Sequence, residues 1–429
     1  MNQTCPQSSG IAPVVTVPPL TTALTLLFAV AVGVIIMNLV APQPVIGVIQ
    51  EALDLPPAWS GVIAMLPQLG YAVGLVLLVP LVDLLENRRL IVGILGCCAL
   101  FLLGAMFATD KVLFLSAIFL AGATSSAIQM LVPMAAMMSS EAHRGRTIGN
   151  VMSGLMVGIL LARPLASLIT DFAGWRSMYA ALGVAIGLLA LLLARVLPQR
   201  YPQTGNKRDA HSYSGLLKSL WHLLRDEPVL RQRALTAALG LGAFSAFWTS
   251  IGLRLAQAPF DLSQKSIALF ALAGAAGAVV APLAGRCADR GWTRPLTVAA
   301  HGLMLLACLL AQYAGSNVGG ALGIGLLALA AIALDAGVTA DQTLGRHAIN
   351  LLNPAARGRI NGLFVAIFFI GGALGSVAAG AAWAHGGWHG VCAVIAAFCL
   401  ASLLADFVAR AGKRTRTLPA PQTGAGNHS

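Results

Sequence analysis

The sequence predicts an all-α membrane protein of twelve transmembrane helices, arranged as two six-helix bundles that repeat one another in parallel. Three observations predict it: a composition too apolar for water, twelve apolar runs of spanning length, and landmarks that recur at one spacing. The 429 residues are 58% hydrophobic and only 10% charged, with a mean hydropathy of +0.81. A water-soluble domain carries about a quarter of its residues charged to cover its surface. This chain needs another solvent, and its long apolar stretches point to lipid.

A helix crosses a bilayer with about 20 apolar residues. Taken in order, the candidate runs are 21–46, 60–82, 89–108, 112–138, 148–170, 177–197, 234–256, 266–284, 295–314, 320–342, 361–383 and 389–409. The longest polar interruption, 198–233, follows the sixth run and holds QRYPQTGNKRD and the basic piece LLKSLWHLLRDEPVLRQR. The chain therefore divides into a tail (1–20), a six-helix bundle (21–197), a linker (198–233), a second six-helix bundle (234–409) and a tail (410–429). The first eighteen residues contain no Lys or Arg and three prolines, so they lack the basic start of a cleaved signal peptide.

The net charge of +12 raises nucleic acid as a partner until the charges are placed. With the N-terminus inside, Lys111, Arg176, Arg254 and Lys265 lie outside and Arg163 lies within a span. The other 22 of the 27 Lys and Arg fall on the cytoplasmic side, which is the arrangement that membrane insertion favours. Both termini are expected in the cytoplasm of a bacterial inner-membrane protein. The charge is a topology signal with some attraction to anionic lipid, and no nucleic-acid partner is implied. The seven cysteines show neither metal-ligand spacing nor a disulfide framework and read as small packing residues.

The two halves echo each other. PLVDLLENRR (80–89) follows the second run and PLAGRCADRGWTR (282–294) the eighth, with Asp83 and Asp289 offset by 206. HRGRTIGN and ARGRINGL follow the fourth and tenth runs with their RGR triplets offset by 213, and GW recurs at 174 and 387. A parallel duplication of six helices accounts for three ordered landmarks, and such repeats are a known transporter architecture with the substrate site between the halves.

GRCADRGWTR resembles the signature loop of the major facilitator superfamily, G-x-x-x-D-R-x-x-x-R, here Gly285, Asp289, Arg290 and Arg294. The first-half copy keeps Asp83, Arg88 and Arg89, but has Val79 for the glycine and Glu86 where a second glycine is usual. The resemblance covers roughly 20–410. NLVAPQP (38–44), PQLGYAVGL (67–75), MSGLMVGILLAR (152–163) and FFIGGALGS (368–376) are most similar to the twelve-span bacterial branch that includes drug, sugar and siderophore exporters. In physical terms, an aspartate at a helix end can pair with nearby arginines and with a neighbouring helix end. These seven residues, Asp83, Arg88, Arg89, Gly285, Asp289, Arg290 and Arg294, are the candidate conformational latch. The competing reading is an ordinary positive-inside loop.

Ionisable side chains within spans are expensive and functional by default. Arg163, Asp335 and, nearer the cytoplasmic end, Asp341 are the transport and coupling candidates. Asp335, Thr339 and Gln342 stand at i, i+4 and i+7 and share a helix face. An apolar surrounding disfavours a charged carboxylate, so Asp335 can carry a coupled proton; a fixed counter-ion is the alternative. Arg163 is either a fixed charge of the pathway, pairing with a substrate anion or with Asp335, or a side chain that snorkels outward. Asn38, Gln43, Gln68, Tyr71, Gln129 and Trp248 complete the candidate cavity with Thr339 and Gln342. By the resemblance, spans 1, 4, 7 and 10 border that cavity, where amides and an aromatic face would orient a polar solute; each residue could equally serve helix packing. The arginine usual in span 4 of the family is absent, with Ile118 in its region. GAAGA (274–278) and GGALG (371–375) let backbones approach closely.

No nucleotide-binding loop appears, no catalytic constellation is present, and no cofactor is implied. The expected function is secondary active transport, monomeric and not enzymatic, with a proton gradient as the energy source. Export of a small organic compound (drug, sugar, siderophore or metabolite) is favoured, and proton-coupled import of a small polar or anionic solute is the alternative.

Overall fold

The computed structural model describes residues 21–199, 213–353 and 356–416. The tail 1–20, the stretch 200–212 of the linker and the last residues of the C-terminal tail lie outside them. Among the described residues there is helix and no strand, as required where the backbone must satisfy its own hydrogen bonds in lipid.

Ten helical segments are long and apolar enough to cross a membrane. Spans 1 to 6 are Thr22–Ala52, Pro57–Asp83, Asn87–Phe107, Lys111–Met138, Arg144–Ala173 and Trp175–Val196. Spans 7, 9 and 10 are Pro228–Leu255, Thr293–Asn317 and Gly320–Asn350. The tenth segment, Arg357–Ala409, is divided by Gly387 at φ 53 into spans 11 (357–386) and 12 (388–409). Span 8 is an interrupted helix: Gln264–Ala271, a 3-10 stretch Leu272–Val279, and Val280–Asp289. Among the described residues this makes twelve spans, six to a half.

Most helices run past their apolar stretch because charged residues at the ends continue them. Span 7 begins at Pro228, inside the stretch read as linker, since proline suits the first turn of a helix. Span 1 breaks at Pro42 and Pro44, where a 3-10 turn, Gln43–Val45, interrupts it. Asp110 starts span 4 by accepting from Val112 N at 2.8 Å, and Thr21 starts span 1 by accepting from Leu24 N at 3.2 Å.

The repeat has a structural cause. Gly174 (φ 81) and Gly387 (φ 53) occupy the same left-handed turn in each half, a conformation that suits glycine. The tryptophan after each packs inward: Trp175 against Phe114, with ring centroids 5.3 Å apart, and Trp388 through Nε1 donating to Ala311 O at 3.0 Å. The RGR triplets stand at the starts of spans 5 and 11, and Asp83 and Asp289 end spans 2 and 8.

At the end away from the linker the halves meet closely. Span 2 lies on span 11 at Gly61, where a methyl group would stand 2.9 Å from Ser376 C, and at Gly380, where one would stand 2.8 Å from Gly61 Cα. Span 5 meets span 8 through Lys265 Nζ, 3.5 Å from Asp171 Oδ2. At the other end a helix of the linker, Tyr213–Asp226, touches both halves. Tyr213 OH donates to Leu77 O at 2.9 Å, and Arg359 Nη1 donates to Ser219 Oγ at 3.0 Å.

Candidate functional site

Arg163 sits on span 5 directly before Pro164 and is 4% exposed. Its Nε donates to Gln43 Oε1 at 2.9 Å. The break in span 1 turns that amide inward. The guanidinium lies 4.1 Å over the ring of Trp248 and 5.2 Å from that of Phe244, a cation–π arrangement that replaces part of its hydration. Trp248 in turn donates Nε1–H to Asp335 Oδ1 at 3.0 Å. Gln43, Arg163, Trp248 and Asp335 thus form one buried array across spans 1, 5, 7 and 10, two helices from each half.

Of the alternatives open for Arg163, two do not describe this geometry. Arg163 does not snorkel, because its head is held among aromatic rings. It makes no direct ion pair with Asp335 among the described residues, because the Trp248 indole stands between them. One guanidinium nitrogen, Nη2, is buried without a hydrogen-bond partner. A small cavity beside Arg163, lined also by Pro44, Trp248, Ile251, Gly252 and Phe270, has about 10 Å³ of room, which suits a single water at most. The array is therefore closed around Arg163.

The glycines of GAAGA belong to this site. A methyl at Gly274 would stand 2.7 Å from Asp335 Oδ2 and 2.7 Å from Trp248 Cζ2, and one at Gly277 would stand 2.5 Å from Asp335 Cβ. Only a bare backbone lets span 8 lie against the Trp248–Asp335 pair. Phe244 and Phe270, the latter 6.3 Å from the Trp248 ring, complete the aromatic surround. None of these four was singled out as a site residue from sequence.

Gln68 builds a second array between the halves. Its Nε2 donates to Ser376 Oγ at 3.2 Å and to Ala64 O at 3.0 Å, while its Oε1 accepts from Ser245 at 3.1 Å. Thr249 donates to Ser376 Oγ at 3.2 Å. Other candidates lie apart from both arrays. Asn38 donates to Ser125 Oγ at 3.1 Å, and Gln129 Nε2 to Tyr71 OH at 3.4 Å. Thr339 and Gln342 are half-buried on span 10, and Thr339 O accepts from the Thr343 hydroxyl. Asp341 turns away from Asp335 into the C-terminal bundle, where its Oδ1 lies 3.3 Å from His301 Nε2.

The candidate latch residues lie around the ends of spans 2 and 8 and the starts of spans 3 and 9. Asp83 is exposed and makes no ion pair among the described residues. Glu86 takes the structural role, accepting from Arg88 N at 2.8 Å and Arg89 N at 3.0 Å to cap span 3; Arg89 Nε also lies 3.7 Å from it. Asp289 Oδ1 is 3.7 Å from His347 Nδ1 at the end of span 10. Gly285 faces open space, and Arg290 and Arg294 are exposed.

Comparison with known proteins adds a consistent picture. The model of the Major Facilitator Superfamily matches residues 26–348. The transporter YgaY of Escherichia coli O157:H7 is 38% identical over 386 residues, covering 90% of this chain and 95% of YgaY. The transporter SCO4007 of Streptomyces coelicolor is 31% identical over 373 residues, covering 87% of this chain and 84% of its own. Among solved structures, a bacterial homologue of the human lysosomal transporter Spinster has a TM-score of 0.71 at 15% identity, over 92% of this chain and 98% of that one. The nucleoside transporter NupG has a TM-score of 0.69 at 14% identity, over 90% and 99%. At those identities the likeness is one of fold.

Proposed function

The chain belongs to the major facilitator superfamily, and from that premise we propose that it exports a small organic compound from the cytoplasm in exchange for protons. It works by alternating access in the bacterial inner membrane, as a monomer with both termini inside, and draws on the proton gradient alone. The observation that carries the reading is the Gln43–Arg163–Trp248–Asp335 array. It joins both halves, so any ligand that enters it acts on the contact between them. It also holds the two charges that the sequence sets deep in apolar runs, with Asp335 as the proton carrier. The export direction draws support from the resemblance of residues 38–44, 67–75, 152–163 and 368–376 to the twelve-span branch that includes exporters.

A second reading has its own observation. Arg163 keeps a buried nitrogen without a partner, which fits an anion as cargo. A proton on Asp335 would remove the nearest negative charge from Arg163, so anion and proton would favour each other and move together, as in uptake.

Linkage separates the two, because ligands that compete and ligands that cooperate shift each other's affinity in opposite directions. A thermal-shift screen of the purified protein against drugs, sugars, siderophores and vitamins identifies a cargo, since a ligand stabilises the state it binds. Under exchange, cargo affinity falls as pH falls, because proton and cargo compete for Asp335. Under cotransport it rises. In proteoliposomes, Asp335→Asn should abolish gradient-driven flux and leave cargo exchange; unchanged gradient-driven flux would remove Asp335 from the mechanism.

A further inference from the structure

Span 9 carries a histidine that the transport site does not use. His301 is fully buried and Asp341 of span 10 nearly so. His301 Nε2 lies 3.3 Å from Asp341 Oδ1 and 3.1 Å from Ser402 Oγ of span 12. The Ser402 hydroxyl donates to Thr236 O of span 7 at 3.2 Å. With its proton committed there, Ser402 accepts from Nε2, which assigns the Nε2–H tautomer. That leaves His301 Nδ1 and both oxygens of Asp341 buried without a hydrogen-bond partner.

Charge decides what this cluster needs. A neutral imidazole beside an ionised carboxylate leaves one net negative charge in the bundle, with both its oxygens unsatisfied, which burial disfavours strongly. One added proton brings the pair to zero, whether held as imidazolium and carboxylate or as imidazole and carboxylic acid. An alkali cation is a poorer occupant, because one carboxylate, one hydroxyl and a nitrogen fall short of an oxygen cage.

The neighbours supply a route. Span 7 presents Thr236 to the cluster, with Arg233 and Gln232 one turn nearer the linker end. Span 12 presents Ser402, with the buried Asp406 one turn in the same direction. Span 9 itself has Thr297 there, and span 10 continues to Arg346. Span 8 presents Ala284 and Val280, packed with Ala300 and Ala340. Arg233 Nη1 donates to Thr297 Oγ1 at 3.3 Å, and Gln232 Nε2 to Asp406 Oδ1 at 3.5 Å. Gln232 and Arg233 are half-exposed, so a polar layer lies between the linker end and His301. Along span 10, Asp341 is six residues from Asp335, about 9 Å at the helical rise.

We infer that His301 and Asp341 form a second proton-binding site inside the C-terminal bundle, filled from the linker end through the Arg233–Asp406 layer and separate from Asp335. This rests on the proposal of proton-coupled transport and adds to it a site in which the proton never meets the cargo.

Infrared difference spectra of the vesicle-reconstituted protein, taken between acid and alkaline buffers, test it without a cargo. The expected result is a titrating component lost in both Asp341→Asn and His301→Gln and retained in Asp335→Asn. His301→Gln keeps an N–H toward Ser402 and decides the matter if Asp341→Asn does not assemble. Spectra in which every titrating component survives both substitutions overturn the site, as does a component that follows sodium concentration instead of pH. Failure of the transport reading would appear elsewhere, as unchanged gradient-driven flux in Asp335→Asn, with this titration still present.

Discussion

The two arrays that join the halves are built from opposite materials. Around Gln68, an amide and three hydroxyl side chains satisfy one another: both amide groups are used, and Ser376 receives from two sides. Around Arg163, a cation meets one amide and several aromatic faces, and keeps Nη2 unpartnered. The positions are related, since Ser376 stands 213 residues after Arg163, the offset of the RGR and GW landmarks. One copy of the repeat closes a contact completely. The other closes it while leaving a strong donor unspent. The proposed cargo site rests on that unspent donor.

The sharpest way to break this contrast is to remove the cation. Arg163→Ala should reach the membrane at normal levels and transport at background rate in proteoliposomes, while Arg163→Lys recovers only part, because an ammonium lacks the forked donor geometry. Normal flux in Arg163→Ala would make the Arg163 array as structural as the other. Trp248→Phe comes next. It keeps a ring under the guanidinium but deprives Asp335 of its donor, and a buried hydrogen bond to a charged group contributes about 1.5–3 kcal/mol. Cargo affinity by calorimetry should fall about tenfold or more.

Gln68→Leu probes the opposite array. Ser376 and Ser245 lose a partner, so the melting transition should drop by an amount corresponding to about 1–3 kcal/mol, with cargo affinity unchanged. A loss of affinity there would erase the distinction between the arrays. The smallest effect belongs to Lys265→Ala. The Lys265–Asp171 pair also joins the halves but is largely exposed, and such pairs contribute about 0.2–1 kcal/mol. Melting and flux should both stay near wild type, with the residual difference vanishing in high salt.

What could be read from sequence follows from what lipid forbids. Spans announce themselves because a polar residue in oil is costly, and for the same reason Arg163 and Asp335 stand out, as do Gln43 beside its prolines and Trp248. Phe244, Phe270, Gly274 and Gly277 do not. An aromatic ring or a glycine in an apolar run carries no mark of the partner it will face. His301 did carry a signal, a titratable side chain inside the ninth run, and the rule that selected Asp335 applies to it equally. Partners across the bundle stay hidden: Asp341 reads with Asp335 along span 10, yet it faces His301. Glu86 shows a different limit: its place in a family motif draws attention to the missing glycine, while its role as the cap of span 3 appears only with the fold.

The meeting of Gly61 and Gly380 bears on how readily this molecule changes state. Where span 2 crosses span 11, backbone touches backbone at Gly61 and Gly380, and the Gln68–Ser376 hydrogen bond ties the same two helices. Parting these helices gives up that close packing and the hydrogen bond together, so the arrangement seen here has a stabilisation of its own against which a ligand must work. A ligand shifts a two-state equilibrium only by its differential affinity, and moving one from 1:99 to 99:1 takes about 5.5 kcal/mol. A ligand would part the two helices only as far as it binds the parted arrangement more tightly than the joined one.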